Sequence, residues 1–508
     1  MMMKRVITAL LVWVQVALPV SGWGATTETF YVAQTQQGDG AGTACYYAKP
    51  ATFFNNAANW AAVVSADGKI GPDDEVKLCD DGGSFVQLST KNTGLVGYPI
   101  TISVASGESV TVDNGFANNS AFYIGADDDY IVIDADKLIV KNAIQSGYRI
   151  DSSDYITINN PKIETCRLDA IRAISSQHVT INYPIITGID SVATVYGINF
   201  ITSPYGIVTY PYIHDNGAAS ATDVRGINYG DGSNSGQVWY ARLVDNLTVG
   251  GDGSGVEIFD SSLVYVTKSE ISGSNAGIEA KSNDDTTYPL SSDGLTVTDT
   301  YIHSVVGGIL YGEWPEDGTG AESENGTFYN NTIVATSIGF DIHSPNQTLK
   351  NNIVVMDATG FVYAYRFLNM SEADVATVDM DYNLTYLPGL NNQYARISSI
   401  DANYETLAAW QTYSTKDASS LSTDPLLDSA GRPRLKSLYD AGTAHDNNIY
   451  CGSGEPIGAY ELCKGVSMPP PLWFLGTPDS YSLGGGRVHA SLVWNDALTW
   501  NDSNTWAD

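Results

Sequence analysis

From about residue 98 to 390 the chain alternates short apolar-polar runs with polar turns, and nowhere in that span does a helical period appear. Runs such as Tyr155-Ile156-Thr157-Ile158-Asn159-Asn160, His178-Val179-Thr180-Ile181, Leu295-Thr296-Val297-Thr298 and Gly326-Thr327-Phe328-Tyr329 place an apolar residue at every second position. That is the signature of a strand with one face buried. Between them a glycine followed by an apolar residue recurs: Gly197-Ile198, Gly226-Ile227, Gly255-Val256, Gly277-Ile278, Gly308-Ile309, Gly339-Phe340 and Gly360-Phe361, at spacings of 29, 29, 22, 31, 31 and 21 residues. No single unit can bury its apolar face alone. Stacked as coils about 4.8 Å apart, the units bury Ile, Val and Leu in one continuous core. Asn and Gly suit the tight left-handed corners.

The pattern predicts an all-β fold, a right-handed parallel β-helix or solenoid. Propeller blades would need longer repeats with regular hairpin signals, and Asn-Gly turns between paired strands are scarce. The varied spacings predict loop insertions, among them Asn283 to Asp293 and Gly312 to Asn325, and in repeat proteins these collect on one face. Five segments follow: residues 1–24 as a signal peptide, 25–97 as N-terminal cap and first coils, 98–390 as β-helix repeats, 391–463 as closing segment, and 464–508 as a Pro-rich linker with a Trp-rich tail. Lys4 and Arg5 precede an apolar run from Val6 to Val20, and Gly22-Trp23-Gly24 offers small residues for cleavage before Ala25. About fifteen apolar residues are too few to span a bilayer. Pro469-Pro470-Pro471 introduces the tail, where Trp494, Trp500 and Trp506 repeat every six residues and would share one face of a strand. Such a tail could cap the body, stack on sugar or anchor the protein.

Composition narrows the function. With 57 acidic and 25 basic residues the net charge is −32, which argues against nucleic acid and against anionic lipid. Acidity remains compatible with cations, or with an acidic glycan bridged by them. The low Lys and Arg content counts against a groove for an acidic polymer. Five cysteines agree with export: Cys45 and Cys79 bracket the N-terminal segment, and Cys451 and Cys463 the end of the body, as staples at two ends. Cys166 is left over and reads as a buried, inert thiol.

Phe30-Tyr31-Val32-Ala33, the run Gly38-Asp39-Gly40-Ala41-Gly42 and Gly71-Pro72-Asp73-Asp74-Glu75-Val76 resemble the opening cap of secreted bacterial β-helix proteins of the pectate-lyase-like group. There a Pro-Gly-Asp-Thr-Val-like step leads into the first coil; here Asp73 stands in place of its Gly. Asp424-Pro425-Leu426, Asp440-Ala441-Gly442 and Pro456-Ile457-Gly458-Ala459-Tyr460-Glu461 look like the closing segment. The resemblance covers residues 28 to 462 and implies fold and export. The group holds lyases, hydrolases, epimerases, phage tailspikes and surface proteins, so it does not imply one activity.

Aligned on the glycine marks, the second following position reads Asn199, Asn228, Glu257, Glu279, Leu310 and Asp341, and the fourth Ile201, Gly230, Phe259, Lys281, Gly312 and His343. Both positions face the same way. Glu257 and Glu279 would therefore stand side by side with Lys281 beside them. Adjacent carboxylates need a raised pKa, a cation or a metal, and calcium on Glu257, Glu279 and Asp260 is the expected ligation. Gly277-Ile278-Glu279-Ala280-Lys281 resembles the strand that carries the catalytic lysine of calcium-dependent β-helix lyases. By that resemblance Lys281 abstracts the proton alpha to a uronate carboxylate; Glu279 stands beside it, and His343, on the same face by the alignment, is a separate candidate for proton donor. The aspartate cluster those enzymes use for calcium is not recognisable. Glu313 and Trp314, Asn228 and Asp341 are candidates for holding sugar. Alternatively, Lys281 and Glu279 form an ordinary ion pair, and stacked Asn and Glu are ladder residues.

The motifs of polygalacturonase-type hydrolases, classical pectate lyases and alginate epimerases are missing. The expectation is thus an exported carbohydrate-active β-helix protein, first a polysaccharide lyase using calcium. A non-catalytic glycan-binding or tail-fibre-like protein, trimeric in that case, and a hydrolase with paired carboxylates are the alternatives.

Overall fold

In a computed structural model of the chain, residues 27–64, 68–189, 194–217, 223–246, 253–282, 292–312, 323–358, 361–389, 391–428, 431–434, 442 and 457–458 are described. The expected signal peptide, Cys451, Cys463, Glu313, Trp314 and the Trp-rich tail lie outside them.

The body is a right-handed parallel β-helix. A typical coil runs through three strands: Thr180–Asn182 on what we call the back face, Ile185–Thr187 on the side, and Val195–Ile201 on the front. The next coil repeats them as Ile207–Thr209, Tyr212–His214 and Val224–Gly230, each paired in parallel with its predecessor. Back strands form a 14-stranded sheet. Side and front strands join in a 22-stranded one, because Tyr301–Tyr311 and Thr332–Ile342 pass through both faces without a break. The last parallel front strand, Gln393–Ile397, lies just past the boundary expected at 390.

Period-two alternation fills the interior. On the front strands Ile198, Ile227, Val256, Ile278, Ile309 and Phe340 stack in register. Back strands contribute Ile181, Val208, Val238, Val266 and Val297, and side strands Ile186, Ile213, Leu243, Ile271 and Ile302. All are fully buried. The glycine marks from Gly197 to Gly339 are structurally equivalent, whereas the expected seventh, Gly360, breaks the series, because Ala364 is the residue in register with Gly339. A Cβ on Gly255 would fall 2.2 Å from the Ile271 side chain and 2.7 Å from the Gly277 carbonyl oxygen, so no side chain fits.

Buried polar ladders close the corners. Between front and back, the backbone N–H of Ser153, Ser176, Ser203 and Ser233 each donates to the hydroxyl of the serine one coil on, at 2.9–3.1 Å. Between back and side, the N–H of Asn331 and of Asn352 donate to the side-chain oxygens of Asn352 and Asn383, both at 3.0 Å. These pairs satisfy backbone groups that no strand ladder reaches.

At the N-terminal end Thr29–Ala33 pairs in parallel with Glu75–Leu78. The disulfide between Cys45 and Cys79 joins positions 34 apart, as expected of those two cysteines. Asp73 has φ of 72°, the left-handed conformation that glycine supplies elsewhere. Cys166 is buried and unpaired, its thiol pushed up to about 12 by burial, so it is inert as expected.

Candidate functional site on the front face

Outward side chains of the front strands form columns along the helix axis. One column runs Arg149, Arg172, Asn199, Asn228, Glu257, Glu279, Leu310, Asp341, Arg366 and Arg396. Its middle is the set expected from the glycine alignment. A parallel column, on the other side of the glycine marks, holds Asp169, Tyr196, Arg225 and Ser254.

At the centre stands Glu257, fully buried. Its two oxygens face two cations: Arg225 Nη1 at 2.5 Å and Lys281 Nζ at 3.0 Å. Lys281 also reaches Glu279 at 3.2 Å, and Arg225 also pairs with Asp223. The Tyr196 hydroxyl accepts from Arg225 at 3.1 Å. Glu257 and Glu279 are thus neighbours on adjacent coils, and Lys281 is the wedge between them.

Burial pushes Glu257 up to about 7, against the pull of Arg225 and Lys281. Burial pulls Lys281 down, but Glu257 and Glu279 outweigh it and hold its pKa above the ordinary lysine value. Arg225 is raised in the same way, by Glu257, Tyr196 and Asp223. These groups titrate as one unit. The direction we stand behind is a lysine kept cationic, with the proton exchanged near neutrality carried by the buried carboxyl.

A hydrogen-bonded row leads away from this cluster. Asn228 donates to the Asn199 side-chain oxygen at 2.9 Å, and Asn199 donates to Asp169 at 3.3 Å. Asp169 is buried and pushed up to about 6 by burial, despite Arg172 and Asn199. The Asn228 side-chain oxygen is buried without a hydrogen-bond donor.

The remaining candidates are dispersed. Asp260 sits one residue past the front strand, where its N–H donates to the Lys281 carbonyl at 3.1 Å. His343 lies two coils from Lys281 and packs over Gly312, its side chain 7% exposed and 3.3 Å from Asp341. Asp341 is buried and forked by Arg366. Burial would raise Asp341, but Arg366 and His343 hold it below the usual carboxylate range.

Calcium does not fit Glu257, Glu279 and Asp260. A hard divalent ion needs carboxylate oxygens with charge to spare, and two side-chain cations already face both oxygens of Glu257. Among the described residues no group of three or more His, Cys, Asp or Glu side chains could hold a metal ion.

Sequence reasoning missed Arg225, Asp223, Tyr196 and Asp169. Arg225 and Tyr196 immediately precede their glycines, so the same alignment read one position backward would have found that column.

No family model matches the chain, and no curated protein sequence does. Solved structures are similar in fold. A pectate lyase, Pel9A, aligns with 15% identity and a TM-score of 0.46 over 86% of this chain and 97% of its own. The GH136 lacto-N-biosidase from Eubacterium ramulus aligns with 10% identity and a TM-score of 0.44, covering 73% of this chain and 65% of its own. An alginate lyase from Paenibacillus sp. str. FPU-7 aligns with 13% identity and a TM-score of 0.40, covering 73% and 99%. Similarity at this level is one of fold.

Proposed function

We propose that the protein is an exported carbohydrate-active β-helix enzyme, a polysaccharide lyase that receives a uronic-acid-containing glycan along the front face. One observation carries the reading: Arg225 and Lys281, 17% and 18% exposed, converge on a single carboxylate in the middle of that face. Arg225, which stays charged, suits the neutralisation of a uronate carboxylate, which acidifies the proton alpha to it, and places Lys281 beside that proton. In the reaction the C5–H bond breaks and its proton passes to the neutral Lys281 amine. The electron pair forms the C4–C5 double bond, the C4–O bond breaks, and the departing oxygen is protonated by solvent. Arg225 holds the substrate carboxylate. Because Lys281 is held cationic at rest, only the alkaline limb supplies the free amine, and the rate should climb with pH.

A second reading, glycan binding without cleavage, is supported by the same retained charge on Lys281. Paired-carboxylate hydrolysis would use Glu257 and Glu279, one coil step of about 4.8 Å apart; their shared lysine speaks against it. The test is ultraviolet absorbance of the unsaturated uronate product over a panel of uronic-acid polymers, with and without added calcium. Elimination that Lys281→Ala abolishes supports the assignment. Elimination that persists in Lys281→Ala keeps the lyase and discards this base.

A further inference from the structure

On the back face a ladder of rings runs along the corner that precedes the strand. Tyr130, Tyr155, His178 and Tyr205 stack nearly parallel at 4.7–4.8 Å. All four have φ near 60°, a conformation that costs a bulky residue energy and is offset here by stacking. The next two corner residues, Ser235 and Leu263, keep that conformation but offer no ring. Leu263 leans away, over Gly294, whose Cβ would lie 2.9 Å from its methyl. The ring ladder therefore ends at Tyr205, because Ser235 on the next coil carries no ring. From Tyr205 to the Leu263 corner is two coil steps, about 9–10 Å, room for one ring to stack.

Trp239, 39% exposed, and Tyr265, 43% exposed, point outward from the two strands that follow these corners, four residues past Ser235 and two past Leu263. The Trp239 indole N–H donates to Gln237 at 3.0 Å, and Gln237 pairs in register with Tyr265. The outward positions here are Ile207, Thr209, Gln237, Trp239, Tyr265 and Thr267, with no carboxylate among them in a chain of net charge −32. An uncharged patch that couples exposed aromatic rings to amide and hydroxyl groups matches a pyranose, apolar on its faces and polar around its rim.

We propose that the back-face patch running from Tyr205 and the step at Ser235 across Tyr265 to Trp239 binds a neutral pyranose unit of a polysaccharide, separately from the front face. The class of ligand rests on the reading of the protein as one that works on glycans. The probes are xylan and mannan in affinity electrophoresis and cellulose in sedimentation. Wild type should be retained by at least one of them. Trp239→Ala and Ser235→Tyr, which extends the ladder into the gap without emptying the core, should each weaken retention about tenfold, as removal of one stacked ring would. Lys281→Ala should bind as wild type, which separates this site from any failure of the lyase assignment. No retention on any of the three polymers, or retention unchanged in both Trp239→Ala and Ser235→Tyr, overturns the proposal. So does a change of oligomeric state in light scattering for Ser235→Tyr without a change in retention, which would make the patch an interface with another copy.

Discussion

Glu257 and Asp169 are buried carboxyls of the front face whose pKa burial raises, to about 7 and about 6. Their ordinary values are 4.5 and 3.8, so over the interval up to pH 7 the folded protein keeps protons that the unfolded chain has released. Stability from these groups is therefore greatest on the acid side and falls as pH rises through 6 and 7. We expect denaturant unfolding to show that decline between about pH 4 and 7, and Glu257→Gln with Asp169→Asn to flatten it. An unchanged slope in the double variant would contradict the assignment. Much of this neighbourhood was legible in the sequence: alternation put Asn199, Asn228, Glu257 and Glu279 on one face, and Lys281 with them. The cross-coil pairing was not. Which cation meets Glu257 depends on side chains from coils 22 to 29 residues apart, and no spacing rule carries that.

The coils were read from their strands, whereas the corners hold much of what fixes their stacking. Asn352 accepts from the Asn331 N–H and donates to the Phe328 carbonyl at 2.9 Å, all within buried surroundings. Asn352→Ala would strand both groups, a loss of about 2–3 kcal/mol, seen as a lower denaturation midpoint. An Asn352→Ala protein as stable as wild type would deny the ladder its role. The serine ladder escaped detection because its offset from the glycine marks varies: Ser203 is six residues after Gly197, Ser233 seven after Gly226. At the N-terminal end, Cys45→Ser with Cys79→Ser reopens a loop of 34 positions and should cost roughly 3–4 kcal/mol in the chain-entropy account. Equal melting of wild type under oxidising and reducing conditions would contradict this.

At the scale of the whole molecule, charge is distributed against its own average. Composition counts 25 Lys and Arg and reads as poor ground for an acidic polymer. The fold nevertheless places Arg149, Arg172, Arg225, Arg366 and Arg396, five of the eleven arginines, on one face together with Lys281. Each is oriented by a carboxylate of its own: Asp151, Asp169, Asp223, Asp341 and Asp401 in turn. A mean over the chain cannot report such segregation, because it arises only when the coils are in register. With these carboxylates the row is close to neutral in a chain of −32, so an acidic glycan meets less repulsion there than the mean charge implies. Its binding should weaken with added salt, and by about tenfold or more in Arg225→Ala, which removes one charge-assisted hydrogen bond. Salt-independent binding would argue for the back face instead. The most direct measurement of the central claim is product absorbance against pH on uronic-acid polymers, for wild type and Lys281→Ala. We predict elimination by wild type that climbs into the alkaline range and is absent from the variant. Elimination by the variant at the wild-type rate, or none by wild type on any polymer at alkaline pH, would contradict it.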